Sequence, residues 1–173
     1  MKITDKNIEP SPSSTVLLVR QGKAELEVLM MLRKKNTSFG SSYVFPGGVL
    51  EKTDMKEEEA ISLKEQNFFN EKLNLETGGF AYFSAAIREL FEEAGILLAS
   101  DKKGNFPDYL DINDYRKKLN SGELNWNEFL RQTELTMNHE RLVYFSFWIT
   151  PLRLTHRFTT RFFITEMPAN QFA

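Results

Sequence analysis

The sequence predicts an α/β fold built on a mixed sheet, and three observations carry the prediction. Two β-rich segments near the start flank a Gln21-Gly22 turn. A helix-forming stretch around residues 80–94 ends at Gly95. Two aromatic, β-branched segments lie close to the end of the chain. Strands interleaved with helices in this order call for helices packed on a sheet.

Residues 15–19 and 26–32 read as the arms of a hairpin. Residues 36–42 are polar and contain Gly and Ser, so a loop is expected there. Residues 43–45 form a short strand leading into Phe45-Pro46-Gly47-Gly48. Pro fixes φ there and the glycines open backbone angles, so a tight, close-approach turn is expected. Residues 56–69 carry Ile61, Leu63, Phe68 and Phe69 among many charges and read as one amphipathic helix. Gly78-Gly79 separates it from the helix at 80–94, which Gly95 terminates at C′. Residues 111–119 form a short helix ending near Gly122, and Asn125-Trp126-Asn127-Glu128 is a capping box that opens another. Residues 142–150 and 157–165 are strands.

At 173 residues the chain is read as one domain over 15–173, preceded by a loosely ordered polar tail at 1–14 that contains Pro10 and Pro12. A net charge of −2 gives no general attraction to nucleic acid or to an anionic membrane. An anionic substrate would therefore need local Arg and Lys, with a cation screening its phosphates. The absence of cysteine excludes thiolate and disulfide chemistry and suits a reducing cytoplasm, where the protein is expected. No apolar run approaches the ~20 residues of a membrane span. His139 and His156 have no carboxylate or cysteine at ligand spacing and read as ordinary polar residues.

The most informative stretch is Arg88-Glu89-Leu90-Phe91-Glu92-Glu93-Ala94-Gly95-Ile96. Glu89, Glu92 and Glu93 stand at i, i+3 and i+4 and share a helix face, while Ala86, Leu90 and Ala94 point towards a core. Like charges repel, and these lie in a last turn where the helix dipole disfavours anions. A divalent cation held by the three carboxylates accounts for the arrangement, and an all-oxygen set favours Mg²⁺ or Mn²⁺ over zinc. A merely solvated acidic face, with Arg88 paired to Glu92, is the plainer alternative.

Together with Gly48, this stretch resembles the Nudix box. Residues 88–96 match every fixed position of its distal half, and Asp54 stands where the proximal half has Glu. Arg88 arrives 26 residues later than the uninterrupted pattern would place it, at 88 rather than 62. The helical insertion, about 55–80, falls between the glycine loop and the acidic helix. An excursion there need not move either piece, because closure entropy grows slowly with loop length. The interrupted box, with Trp148-Ile149-Thr150-Pro151 and Arg157 to Phe163, is similar to a Nudix subgroup that includes the peroxisomal coenzyme A diphosphatases.

The resemblance implies a Nudix-type α/β/α sandwich with a mixed sheet. In the family, the strand resembling 161–165 is followed by a further strand and helix, so the protein either lacks these or continues beyond Ala173. Glu166 is the nearest acidic residue left for that region's chemistry. The implied activity is hydrolysis of a phosphoanhydride in a nucleoside diphosphate linked to another moiety, coenzyme A or acyl-coenzyme A first. ADP-ribose or a dinucleotide as substrate, or a non-catalytic binding module, are the alternatives. By the same resemblance Glu92, Glu93 and Glu89, with the Gly48 carbonyl, are the metal ligands. Glu89 is either a third ligand or the base. Arg88 joins Glu89 in the catalytic set by orienting the acidic cluster, and the role of Asp54 stays open. Arg33, Arg157 and Arg161 are the candidates to bind the substrate's further phosphate; rim or strand-edge charges are the plainer reading of each.

Overall fold

One long strand organises the sheet in the computed structural model, which describes residues 9–33, 42–108, 110–152 and 154–172. Strand β1 (Ser11–Gln21) takes β9 (Phe158–Glu166) along one edge in parallel, from Ser11 beside Phe158 to Val19 beside Glu166. Two short antiparallel strands share its other edge. β2 (Leu26–Val28) pairs with Val19, Arg20 and Gln21, and β5 (Gly47–Val49) with Ser13, Ser14 and Thr15. β8 (Val143–Ile149) lies antiparallel outside β9 and completes the mixed sheet. β3 (Met31–Arg33) with β4 (Ser42–Val44), and β6 (Ala99–Ser100) with β7 (Thr136–Met137), form two small ladders.

The helices are α1 (Lys52–Ala60), α2 (Leu63–Leu73), α3 (Gly79–Ala94), α4 (Ile112–Ser121) and α5 (Trp126–Thr133), with a 3₁₀ turn at His139–Arg141. α3 lies on the sheet. Phe83 packs on Phe163 of β9 at 4.7 Å, and the Ser14 hydroxyl of β1 donates to the Tyr82 carbonyl at 2.7 Å. On its other side Phe91 stacks on Phe129 of α5 at 5.2 Å. Ala86, Ile87, Leu90 and Phe91 are fully buried, so one apolar helix joins the sheet to the outer helices. Among the described residues no helix is long and apolar enough to cross a membrane.

Several expectations need correction. The segment at 26–32 is two strands, because β2 pairs with β1 whereas β3 pairs with β4. The glycine segment is not a free turn, since Gly47 and Gly48 belong to β5. The insertion holds two helices; α1 stops at Ala60, and Ser62 opens α2 with a capping box to Glu65. Residues 11–14, assigned to the tail, lie in β1, and Ser13 and Ser14 are buried. Residues 1–8 and most of the expected 36–42 loop lie outside the described residues. His139 is a half-buried ring packed against aromatic side chains: it meets Phe69 at 5.3 Å and Phe80 at 4.8 Å, and desolvation pushes its pKa down to about 4.

Candidate active site

Arg88 is the centre around which the acidic groups gather. It is 1% exposed, and its guanidinium meets carboxylates on three sides. Nε and Nη2 donate to Asp54 at 3.2 and 3.0 Å, and Nη1 donates to Glu89 at 2.9 Å and to Glu92 at 3.1 Å. Glu51 stands 3.8 Å away, and Nη2 also reaches the Val49 carbonyl at 3.1 Å. Burial alone would lower the pKa of Arg88, but the bonds and charge of Asp54, with Glu89 and Glu92, hold it above its ordinary value.

Asp54 has a definite structural role. It is fully buried in the first turn of α1 and accepts from the Glu51 N–H at 2.8 Å and from the Ser84 hydroxyl at 3.2 Å, besides its two bonds to Arg88. It therefore ties the start of α1 to α3 across the insertion. The shorter carboxylate, placed on the opening turn of a helix, spans the gap.

Glu89 carries the most perturbed acid. Its pKa is pushed up to about 7, chiefly by burial; Arg88 opposes this, while Glu92 and Glu93 add to it. Glu92 is raised in the same direction by burial, against the pull of Arg88. One guanidinium thus compensates two half-buried carboxylates incompletely. Gly48 explains how the backbone comes so close to Glu89, because a Cβ there would occupy the space of its carboxylate. Gly47 donates its N–H to Glu93 at 2.9 Å.

Sequence reasoning missed the group that answers the dipole of α3. Its last turn contains no basic residue, and Gly95 caps it in the left-handed conformation with φ of 74°. The cation comes from α4: Arg116 donates to the Glu92 carbonyl at 3.1 and 3.2 Å and to the Glu93 carbonyl at 2.7 Å. No local pattern marks Arg116, since it meets α3 only in three dimensions.

Beside these carboxylates opens a cleft of about 730 Å³. Glu92 and Glu93 line it with Gly47, Gly48 and Asn120, and Tyr43, Phe45, Phe158 and Phe162 form much of its apolar wall. Among its described lining residues there is no Lys or Arg. A smaller hollow of about 340 Å³ lies against β1 and β2. The charges among its described lining residues, Arg20 and Glu27, are engaged with each other at 2.7 Å, so it offers no comparable chemistry.

The arginines expected at the substrate are dispersed. Arg33 ends β3 next to Leu32, which lines the cleft, but its side chain lies outside the described residues. Arg157 precedes the cleft residue Phe158 and donates to the Thr150 carbonyl at 3.1 Å. Arg161 faces away from the cleft: Thr160 and Phe162 line it, and strand alternation turns the residue between them towards α3. Glu166 is the exposed end of β9, and His156 sits in an exposed turn.

The site's fit to a cation is mixed. Its donors are hard oxygens, its carboxylates are short of positive charge, and the Gly48 backbone crowds against Glu89. Yet among the described residues no three His, Cys, Asp or Glu side chains converge on one point, because Arg88 engages Glu89 and Glu92 while Glu93 turns to Gly47. The donor chemistry fits a divalent ion, and the side-chain arrangement is the one Arg88 imposes.

No family model matches the chain. Over 157 residues it is 29% identical to a Caenorhabditis elegans protein named "Putative nudix hydrolase 7", a match spanning 87% of this chain and 43% of that protein. The chain thus spans less than half the length of this curated relative. It is also similar to the crystal structure of a NUDIX hydrolase from Alicyclobacillus acidocaldarius, with a TM-score of 0.73 and 23% identity, covering 91% of this chain and 70% of that one. The architecture is the Nudix fold.

Proposed function

We propose that this chain is a metal-dependent Nudix pyrophosphohydrolase acting on a nucleoside diphosphate joined to a second group. The observation that carries the reading is the meeting of under-compensated carboxylates on α3 with the glycine backbone of β5, at a cleft whose described lining has no Lys or Arg. A diphosphate entering such a cleft would otherwise meet only negative charge. Charge balance therefore asks for a divalent cation, Mg²⁺ or Mn²⁺, held by Glu92, Glu93 and Glu89 with the Gly48 carbonyl. When bound, the ion would neutralise diphosphate oxygens and make a ligated water more acidic.

The residues of the chain supply the rest. Arg88, fixed by Asp54, holds Glu89 and Glu92 in register on the cleft side of α3. Glu89, buried beside Arg88 and against the Gly48 backbone, either completes the ligand set or takes the proton from the attacking water. Water oxygen bonds to one phosphorus, the bridging P–O bond breaks, and two phosphorylated products leave. The apolar wall of Tyr43, Phe45, Phe158 and Phe162 suits a substrate with a long apolar or aromatic arm. That favours coenzyme A or an acyl-coenzyme A, with Arg33 and Arg157, sequence neighbours of the cleft residues Leu32 and Phe158, as the candidates for a further phosphate.

The test is turnover of coenzyme A, ADP-ribose and a diadenosine polyphosphate in Mg²⁺ or Mn²⁺, with two phosphorylated products identified. The expected result is cation-dependent turnover, fastest with coenzyme A, that Glu92→Gln lowers by roughly a hundredfold or more. Preference for ADP-ribose or the dinucleotide would replace the substrate, and turnover within a few-fold in Glu92→Gln would remove Glu92 from the metal site. No turnover of any of them with either cation would favour a binding module.

A further inference from the structure

We propose a second binding site, for an oxyanion carried on an apolar body, at Arg161 on the α3 face of the sheet. Arg161 is only 7% exposed, yet among the described residues it makes no ion pair and no hydrogen bond. Its Nε is enclosed without a partner, whereas its Nη atoms are not among the enclosed groups. A guanidinium carries five N–H donors, and a buried one is ordinarily met by carboxylates or carbonyls, as Arg88 is in this same molecule.

What holds Arg161 is aromatic. Its guanidinium carbon lies 4.4 Å from the Tyr82 ring centroid and 4.9 Å from that of Phe147, its cross-strand neighbour on β8. Two rings hold the guanidinium in place without using any of its donors. The Tyr82 hydroxyl also has no hydrogen-bond partner among the described residues. A fork pre-oriented in this way, with its donors unspent, matches the geometry of a carboxylate or phosphate.

The surroundings narrow the ligand. Phe147 is 43% exposed, and Ile149, on the same face of β8, is 50% exposed. An anion that also carries an apolar or aromatic group would cover both while meeting the guanidinium. This site is independent of the cleft, since β9 presents Thr160 and Phe162 there and Arg161 on the other face.

The experiment titrates metal-free wild-type protein, in chelator and at constant ionic strength, with inorganic phosphate, phenyl phosphate and benzoate. The readouts are the Arg161 Nε–H resonance, assigned by its loss in Arg161→Lys, and the melting temperature. A saturable shift of that resonance is expected, at lower concentration for phenyl phosphate or benzoate than for inorganic phosphate. Whichever of those two saturates first identifies the anion as phosphate or carboxylate. The accompanying rise in melting temperature should disappear in Arg161→Met and persist in Arg20→Met, an exposed control. An Arg161 resonance unmoved by all three anions, or an equal rise in Arg161→Met, overturns the proposal.

Discussion

Two buried arginines, Arg88 and Arg161, show how differently one residue type can be accommodated. Arg88 is 1% exposed and surrounded by Asp54, Glu89 and Glu92; Arg161 is 7% exposed and, among the described residues, has rings but no counter-charge. Arg88 organises acids that would otherwise repel one another, and their charge exceeds what it can balance. Arg161 leaves an excess of the opposite sign. The two imbalances point to ligands of opposite charge, a cation at α3 and β5 and an anion against β8 and β9.

Removing each arginine's charge while keeping most of its volume tests the comparison hardest. Arg88→Met leaves Asp54 and two half-buried glutamates unpaired, and about 3–5 kcal/mol of stability should be lost. Arg161→Met leaves no charge behind and should cost less than about 1 kcal/mol in anion-free buffer, because an unpaired buried charge is itself unfavourable. Urea unfolding of both variants measures the contrast; equal losses would end it.

A second effect follows from the shortage of positive charge at α3. Glu89 titrates at about 7 in the folded chain against 4.5 unfolded, so the folded state holds the extra proton between those values. Stability of the metal-free protein should therefore fall as pH rises through that window, by at most about 3 kcal/mol, with Glu92 adding in the same sense. His139 acts oppositely. Its folded pKa of about 4 lies below the unfolded 6.5, so its contribution is complete above pH 6.5 and is lost as pH falls towards 4. The two oppose each other below pH 6.5, and the fall due to Glu89 stands alone just above it. Denaturant midpoints in chelator should decline there for wild type and flatten in Glu89→Gln.

The smallest expected effect is at Arg116. Arg116→Met removes a cation and its hydrogen bonds from the C-terminal carbonyls of α3, and should cost about 1–2 kcal/mol in thermal unfolding. If Arg116 merely decorates the surface, the melting point will stay where it is.

Much of this architecture was legible because its signals are local. Gly95 ends α3, Asn125 boxes α5, and the spacing of Glu89, Glu92 and Glu93 sets one helix face. The α1–α2 break was equally local, as Ser62 and Glu65 form a capping box, but the charges around it read as one continuous helix. Other features depend on pairings that no window of sequence contains. Asp54 meets Arg88 across the insertion, and Arg116 reaches α3 from α4. The sequence could not say which way Arg161, a candidate for the substrate's further phosphate, would point, because strand parity has no sign until one face of β9 is known to line the cleft.

The central claim is that the carboxylates of α3 hold a divalent cation, and electron paramagnetic resonance of Mn²⁺ titrated into metal-free protein tests it most directly. The account predicts that wild-type protein quenches the free-ion signal saturably, and that a Glu92→Gln, Glu93→Gln double variant, folded by circular dichroism, leaves it intact. Undiminished free Mn²⁺ in the presence of excess wild-type protein, or equal quenching by the double variant, would contradict it.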